Sequence, residues 1–561
     1  MAEKENQVPD VSRRGFLQGA GIAVAGITAG SLIACNTEKP KAEEKAKLNG
    51  NLPATWDIET DIAIVGLGDA ALSAAIAAKI EGVEKVLCLE VASEALAGGS
   101  SRASGQMLMI PDSVEGAITY QTALNAGYKV EEEIMRDWAE GVCYNMQWLT
   151  QELGYDLQQG THASPEFPGI PGGESIKTYY VDGILGKASL WKPLMETAAD
   201  LGVEVMYEMR ATELIYNYET KEVYGVIAGG KAVKANKGVI LACGGFANNP
   251  EMMSNYYCSL GCHSTCWGGP FNVGDGVKMA QQIGADLWHM NSYAGAALSI
   301  RSESRESRVS SIPYFQGHDF IFVNNEGKRF MYEETYGDLR HGKRKDKGVW
   351  PMDVIPTPSY VILGKNAGSK DFFIGITSMG WAVIMGTELK TVKELLDAGI
   401  MYKADTIEEI ARKIGYPEAI LAKTLETYNQ SCAEGVDKEF KRGEAVYSDY
   451  YFNAAGAAET QYGGESASAL VVKPFELEPL EPPFYVAEIA LAMINTQGGA
   501  KRNGKSEVLD LKGNPIPRLY SAGEFGTIYG YMYNGGGNVT DAVASGRKAG
   551  QNCAALDPWK A

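Results

Sequence analysis

The run Asp61-Ile62-Ala63-Ile64-Val65-Gly66-Leu67-Gly68-Asp69-Ala70-Ala71 sets two glycines between a short apolar segment and the helix-like residues 72–80. Strand, glycine turn and helix in that order suit phosphate binding. The first glycine permits the tight turn and the second lets the backbone reach a pyrophosphate. The pyrophosphate then sits on the helix N-terminus, where unsatisfied N–H groups point outward. Ala71 stands where a third glycine is usual and is small enough for close helix packing. A second apolar segment, Lys85-Val86-Leu87-Cys88-Leu89, ends in Glu90, placed to accept hydrogen bonds from a ribose diol. These residues predict a dinucleotide site.

Later segments narrow the dinucleotide. Gly98-Gly99-Ser100-Ser101-Arg102-Ala103-Ser104-Gly105-Gln106 follows soon after Glu90, and Leu241-Ala242-Cys243-Gly244-Gly245-Phe246 closes another strand. Leu519-Tyr520-Ser521-Ala522-Gly523-Glu524 and Gly535-Gly536-Gly537-Asn538 come near the end. In order and spacing these resemble the FAD-binding segments of the fumarate reductase/succinate dehydrogenase flavoprotein superfamily, over residues 57 to 555. The resemblance implies an α/β fold with an α+β cap: a Rossmann-like FAD-binding domain split into 57–285 and 476–561, with a capping domain, 286–475, inserted between. It assigns FAD to Gly66, Gly68, Ala71, Glu90, Gly98, Gly99, Ser100, Ser104, Gly105, Ala211, Ala242, Gly244, Glu524, Asn538 and Val539. Glu524 would lie on the ribose or ribityl side, and the helix after Asn538 would aim its N-terminus at the flavin.

Fumarate reductases of that superfamily carry an arginine shortly after Gly-Lys-Arg-Phe, a histidine before Thr-x-Gly-Gly and an arginine before the last glycine motif. Here those positions fall at Gly337, Asn495 and Asn534. A dicarboxylate would meet few cations in a site that excludes water, which disfavours fumarate and succinate. Arg340 and Arg301 are the arginines that a shifted loop would have to supply.

Aromatic residues take the place of the cations. Tyr529, Tyr531 and Tyr533 precede the triglycine run, and the spacing resembles the Gly-x-x-Tyr-Pro-Gly-x-Gly pattern of 3-ketosteroid dehydrogenases, with Asn534 replacing the proline. By that resemblance the Tyr533 hydroxyl and the Gly537 amide bond a substrate ketone, and Tyr120 with Tyr336 or Tyr332 are the candidates for moving a proton at the α-carbon. The implied activity is hydride transfer between flavin and the carbon–carbon bond next to a ketone. Reduction of a steroid-like or aromatic enone is favoured; the alternatives are 3-ketosteroid dehydrogenation and reduction of an aryl acrylate such as urocanate or cinnamate. His289 and His318 read as structural.

The chain that must position these groups has 561 residues, 45% hydrophobic, enough for two or more structural domains. Its net charge of −19 repels phosphate backbones, so nucleic acid is excluded as a partner. Ser12-Arg13-Arg14-Gly15-Phe16-Leu17 opens an uncharged stretch to Ala34, the form of a twin-arginine export signal over residues 1–34. Leu32-Ile33-Ala34-Cys35 has the form of a lipoprotein box, which would anchor Cys35 on the extracytoplasmic face of the cell membrane. Residues 35–56 read as a tether. No Cys-x-x-Cys-His occurs among the nine cysteines, so an external carrier such as a membrane or periplasmic cytochrome is the expected electron partner. Cys258, Cys262 and Cys266 recur every four residues but match no common cluster spacing, and no metal site is expected.

Overall fold

The computed structural model describes residues 52–160, 164–167, 169–257, 265–300, 319–333, 339–341, 343–344, 356–368, 380–385, 391–442 and 476–559. Residues 1–34, which have the form of an export signal, and Cys35, Tyr336, His318, Arg301, Cys258 and Cys262 lie outside the described residues.

The first sheet opens with β1 (Ile58–Val65), crosses through α1 (Asp69–Ile80) and returns parallel as β2 (Val86–Leu89). Ile62, Ala63 and Ile64 are fully buried, as a strand covered on both faces must be. The short helix α2 (Gly99–Ala103) follows, then α3 (Val114–Leu124) and α4 (Glu132–Gln147). Strands β3 (Glu204–Met206), β4 (Ala211–Asn217), β5 (Glu222–Ala228) and β6 (Lys231–Leu241) complete this half, with β6 beside β1 and Ile64 opposite Ile240. Helix α5 (Asp275–Gln282) leads away from it.

The chain then builds a second sheet from β7 (Tyr293–Ile300), β8 (Phe320–Val323), β9 (Ser359–Leu363), β10 (Met401–Ala404) and, after α6 (Ile407–Ile414) and α7 (Glu418–Glu434), β11 (Phe484–Thr496). Strand β11 pairs antiparallel with β7, β9 and β10, and Thr265–Cys266 lies parallel beside it. The central strand of this sheet therefore falls after residue 475, where the sequence reading ends the cap, and another strand falls before 286. Strand β11 is apolar enough to be read into either sheet; only its hydrogen-bond partners tell the two apart.

Within the second region Arg329, of the Gly-Lys-Arg-Phe segment, pairs with Glu333 at 2.7 Å and with Asp437 at 2.8 Å, all three side chains buried. Arg442 reaches Glu333 at 3.5 Å. Such buried ion pairs fix a conformation more than they add net stability. Here they fasten the residues after β8 to the segment after α7.

The chain returns to the first sheet with β12 (Glu507–Leu509) and β13 (Pro515–Ser521), the latter parallel to β6, and ends in α8 (Gly537–Ala554). The split FAD-binding fold read from the sequence is present. Helix α8 lies against α1 through two glycines: a Cβ on Gly546 would stand 2.3 Å from the Ala70 carbonyl oxygen, and one on Gly550 2.2 Å from that of Ala74. Among the described residues no helix is long and apolar enough to cross a membrane.

Candidate active site

Both glycine turns face one cleft, whose unfilled volume out to its open mouth is about 1880 Å³. Of the residues expected to hold FAD, Gly66, Gly68, Glu90, Gly98, Gly99, Ser100, Ser104, Gly105, Ala211, Ala242, Gly244, Glu524, Asn538 and Val539 line it. Ala71 does not. It is fully buried in the core behind α1, and Ala70 faces the cleft instead.

The first turn is built by close approach. Gly66 has φ +113°, and a Cβ there would lie 2.4 Å from the Ala242 carbonyl oxygen. Helix α1 has no side-chain N-cap, so amides at its start remain available to a phosphate while Ser101 Oγ accepts only the Asp69 amide, at 2.9 Å. Asp69 would oppose an anion there, but burial pushes its carboxyl up to about 7, which weakens that charge near neutral pH. Gln106 stiffens the approach: its Nε2 donates to Ser101 O at 2.6 Å and its Oε1 accepts from the Leu190 and Trp191 amides. Trp191 in turn donates from Nε1 to Leu67 O at 2.9 Å.

Glu90 ends β2 in the cleft with Oε1 accepting from the Ala92 amide at 2.9 Å, which orients it toward a diol. Glu524 accepts from Thr496 Oγ1 and Asn272 Nδ2, and burial pushes its carboxyl up to about 8. Arg210, on the cleft wall, is held bidentate by Asp275 at 2.8 and 2.9 Å. Backbone cradle, buried acid and a helix N-terminus without a side-chain cap together fit FAD.

At the other end of the cleft stands the loop before α8. Tyr533 lines the cleft and its hydroxyl oxygen accepts the Gly536 amide at 3.1 Å. Asn534 is fully buried and acts as a hub: Oδ1 accepts from the Tyr120 hydroxyl at 2.7 Å and the Glu166 amide at 2.9 Å, while Nδ2 donates to Gly535 O. An asparagine in place of the proline thus ties the loop with side-chain hydrogen bonds.

Two sequence expectations change here. The Gly537 amide donates to Asn534 O at 2.9 Å as the helix begins, and Gly537 does not line the cleft. Tyr120 is 1% exposed and does not line it either; its hydroxyl also accepts the Phe167 amide, so it supports Asn534 rather than facing a substrate. Tyr332 is buried.

Asn495 lines the cleft, with Oδ1 accepting from Asn538 Nδ2 at 2.8 Å. The sequence-aligned cation positions that the structure describes, 495 and 534, therefore hold neutral amides engaged inside the protein. His289 lies elsewhere, its Nδ1 at 2.7 Å from Thr527 O and its ring pushed down to about 4 by burial.

A family model described as an FAD binding domain matches residues 61–540. The chain belongs to this FAD-binding family. The flavoprotein is 27% identical to the digoxin reductase of Eggerthella lenta over 98% of each chain. It is 27% identical to the 4-oxocyclohexanecarboxylate 2-dehydrogenase of Sinomonas cyclohexanicum over 82% of this chain and 87% of that one. Among solved structures it resembles the 3-ketosteroid Δ1-dehydrogenase of Sterolibacterium denitrificans in fold, with a TM-score of 0.67 at 22% identity, covering 89% of this chain and 99% of that one. It is an FAD-dependent oxidoreductase acting on carbon–carbon bonds.

Glu166, His341 and Lys343 escape the sequence reading of this flavoprotein. Glu166 is fully buried beside Gly535, His341 lines the cleft, and Lys343 Nζ donates to Tyr531 O at 2.6 Å. His341 adjoins Arg340, which the missing arginine had drawn attention to, but of Arg340 only the backbone is described. Nothing in Ser164-Pro165-Glu166-Phe167 marks a buried carboxylate.

Proposed function

We propose that this enzyme reduces the carbon–carbon double bond of an enone, with a steroid-like or flat aromatic ring ketone as substrate. The observation that carries the reading is the Tyr533 hydroxyl at the cleft, backed by the Gly536 amide, with neutral Asn495 and Asn534 where a dicarboxylate reductase would place cations. Two of the relatives named above carry a ring ketone in their names, which supports the same class.

FAD held by the glycine cradle would, once reduced by two electrons, supply the hydride for the β-carbon and be left oxidised. The protein's part is to stabilise negative charge on the ketone oxygen. A hydroxyl that accepts from an amide becomes a better donor, so Gly536 N–H strengthens the Tyr533 O–H toward the substrate oxygen. The proton for the α-carbon comes from a separate group, and Tyr336 is our candidate. The reverse reaction, ketosteroid dehydrogenation, uses the same contacts.

We further propose that the protein is exported by the twin-arginine route and anchored by lipid at Cys35, where an extracytoplasmic carrier such as a cytochrome re-reduces the flavin. The site then serves an anaerobe using an exogenous enone as terminal acceptor.

The test is anaerobic reoxidation of the reduced holoenzyme by 4-ene-3-ketosteroids, fumarate, urocanate and cinnamate, with Tyr533→Phe alongside. Steroid enones alone should reoxidise the flavin, and the variant should lose about 10²-fold in rate, or ~3 kcal/mol. Reoxidation by fumarate or an aryl acrylate, indifferent to Tyr533, would overturn the substrate class.

A further inference from the structure

One carboxylate joins three segments at the substrate end of the cleft. Glu166 is fully buried, and its Oε2 accepts the Gly535 amide at 2.6 Å. Its Oε1 lies 3.3 Å from His341 Nε2, and its own amide donates to Asn534. His341 belongs to the hairpin formed by Leu339–Arg340 and Lys343–Arg344 and lines the cleft. Its Nδ1 accepts the Gly295 amide of β7 at 3.1 Å. A ring nitrogen that accepts carries no proton, so the imidazole proton sits on Nε2, close to the carboxylate but off the line of a hydrogen bond. Oε2 of Glu166 is thus hydrogen-bonded to the Gly535 amide, while Oε1 meets the His341 ring in a close electrostatic contact without a hydrogen bond.

We propose that Glu166, aligned by His341, is the positioning residue of the ketone site. The carboxylate holds the Gly535 amide, which fixes the turn whose next amide, Gly536, meets the Tyr533 hydroxyl. The His341 ring packs edge-on against Tyr533 with centroids 5.1 Å apart, so one pair sets the hydroxyl's partner and the ring's orientation together. Lys343 of the same hairpin adds a tie to Tyr531 O. His341 Nδ1 is engaged by the Gly295 amide and Nε2 lies beside the Glu166 carboxylate, which gives the ring its part as a positioning group. Seating of the hairpin thus assembles the group that polarises the ketone. A glutamine at 166 would turn an N–H toward either Gly535 or His341, where an acceptor is needed at both.

This inference rests on the role given above to Tyr533, and its test separates the two. Hydrogen exchange of the holoenzyme is followed in the peptide covering residues 529–540, for Glu166→Gln and for His341→Phe, which keeps a ring but no Nε2–H. Exchange there should quicken about ten-fold in both, with FAD content retained. Enone reoxidation should slow about 10- to 100-fold with little change in substrate affinity, and the loss should vanish when Glu166→Gln is added to Tyr533→Phe. Unchanged protection in both variants, or the same loss with and without the Tyr533 hydroxyl, overturns the proposal. Should Glu166→Gln fail to fold, His341→Phe alone decides it by the same exchange readout. A wild-type enzyme that no enone reoxidises defeats the substrate reading, while the exchange result still judges Glu166.

Discussion

The two glycine turns of the cleft do the same geometric work by opposite means. At Gly66 the turn is fixed by backbone against backbone, with the Ala242 carbonyl where a side chain would be. At Gly535 to Gly537 it is fixed by side chains from residues 120, 166 and 341, far away in sequence. The first design tolerates no added atom and serves a cofactor of constant shape. The second is adjustable by substitution at sites such as 120 and 166 that do not line the cleft, which suits a loop facing substrates that differ between relatives.

The largest effect should come from breaking the first turn. Gly66→Ala puts a methyl group into the Ala242 carbonyl at a φ that disfavours L residues, so purified protein should carry almost no flavin absorbance. Full FAD content in that variant would refute the close-approach account. A smaller and different loss is expected at the second turn. Asn534→Ala removes the acceptor for Tyr120 and Glu166, and flavin should stay bound while enone turnover falls about ten-fold. Simultaneous loss of FAD would mean that the two turns are not independent.

Lys343 offers a pH test of the same seam. Burial pulls its ammonium down to about 7, whereas the unfolded chain holds that proton to about 10.5. Between those values the unfolded state binds more protons, so stability rises with pH; below about 7 the penalty is constant. Raising pH from 7 to 9 should lift the apparent Tm by about 2–4 °C relative to Lys343→Met, and equal slopes for the two proteins would contradict it. The smallest effect is expected far from either turn: Glu115→Ala removes only an exposed ion pair with Arg136, and Tm should stay within about 1 °C.

The contrast also explains what could be read from the chain alone. Gly66, Gly68 and Glu90 were legible because the cradle is local: strand, turn and helix are consecutive, and each residue's role follows from its neighbours. Spacing drew attention to Tyr533, which the structure brings to the cleft wall. Glu166 was not, because a buried carboxylate between two prolines shows its partners only after residues 166, 341 and 535 are brought together. Tyr120 and Gly537 were placed by resemblance in roles facing a substrate, but here the Tyr120 hydroxyl donates to the Asn534 side chain and the Gly537 amide to the Asn534 backbone carbonyl. The boundary at 475 missed β11 for a related reason, since strand composition does not say which sheet a strand joins.

The seating of α8 on α1 through Gly546 and Gly550 has a consequence for how the molecule comes into being. The phosphate-binding helix leaves the ribosome long before the helix that covers its back. During vectorial synthesis α1 must therefore wait, with its alanine face uncovered, until α8 has emerged. A ribosome stalled before residue 537 would hold a polypeptide with every residue of the first glycine turn and no means of closing the fold around it.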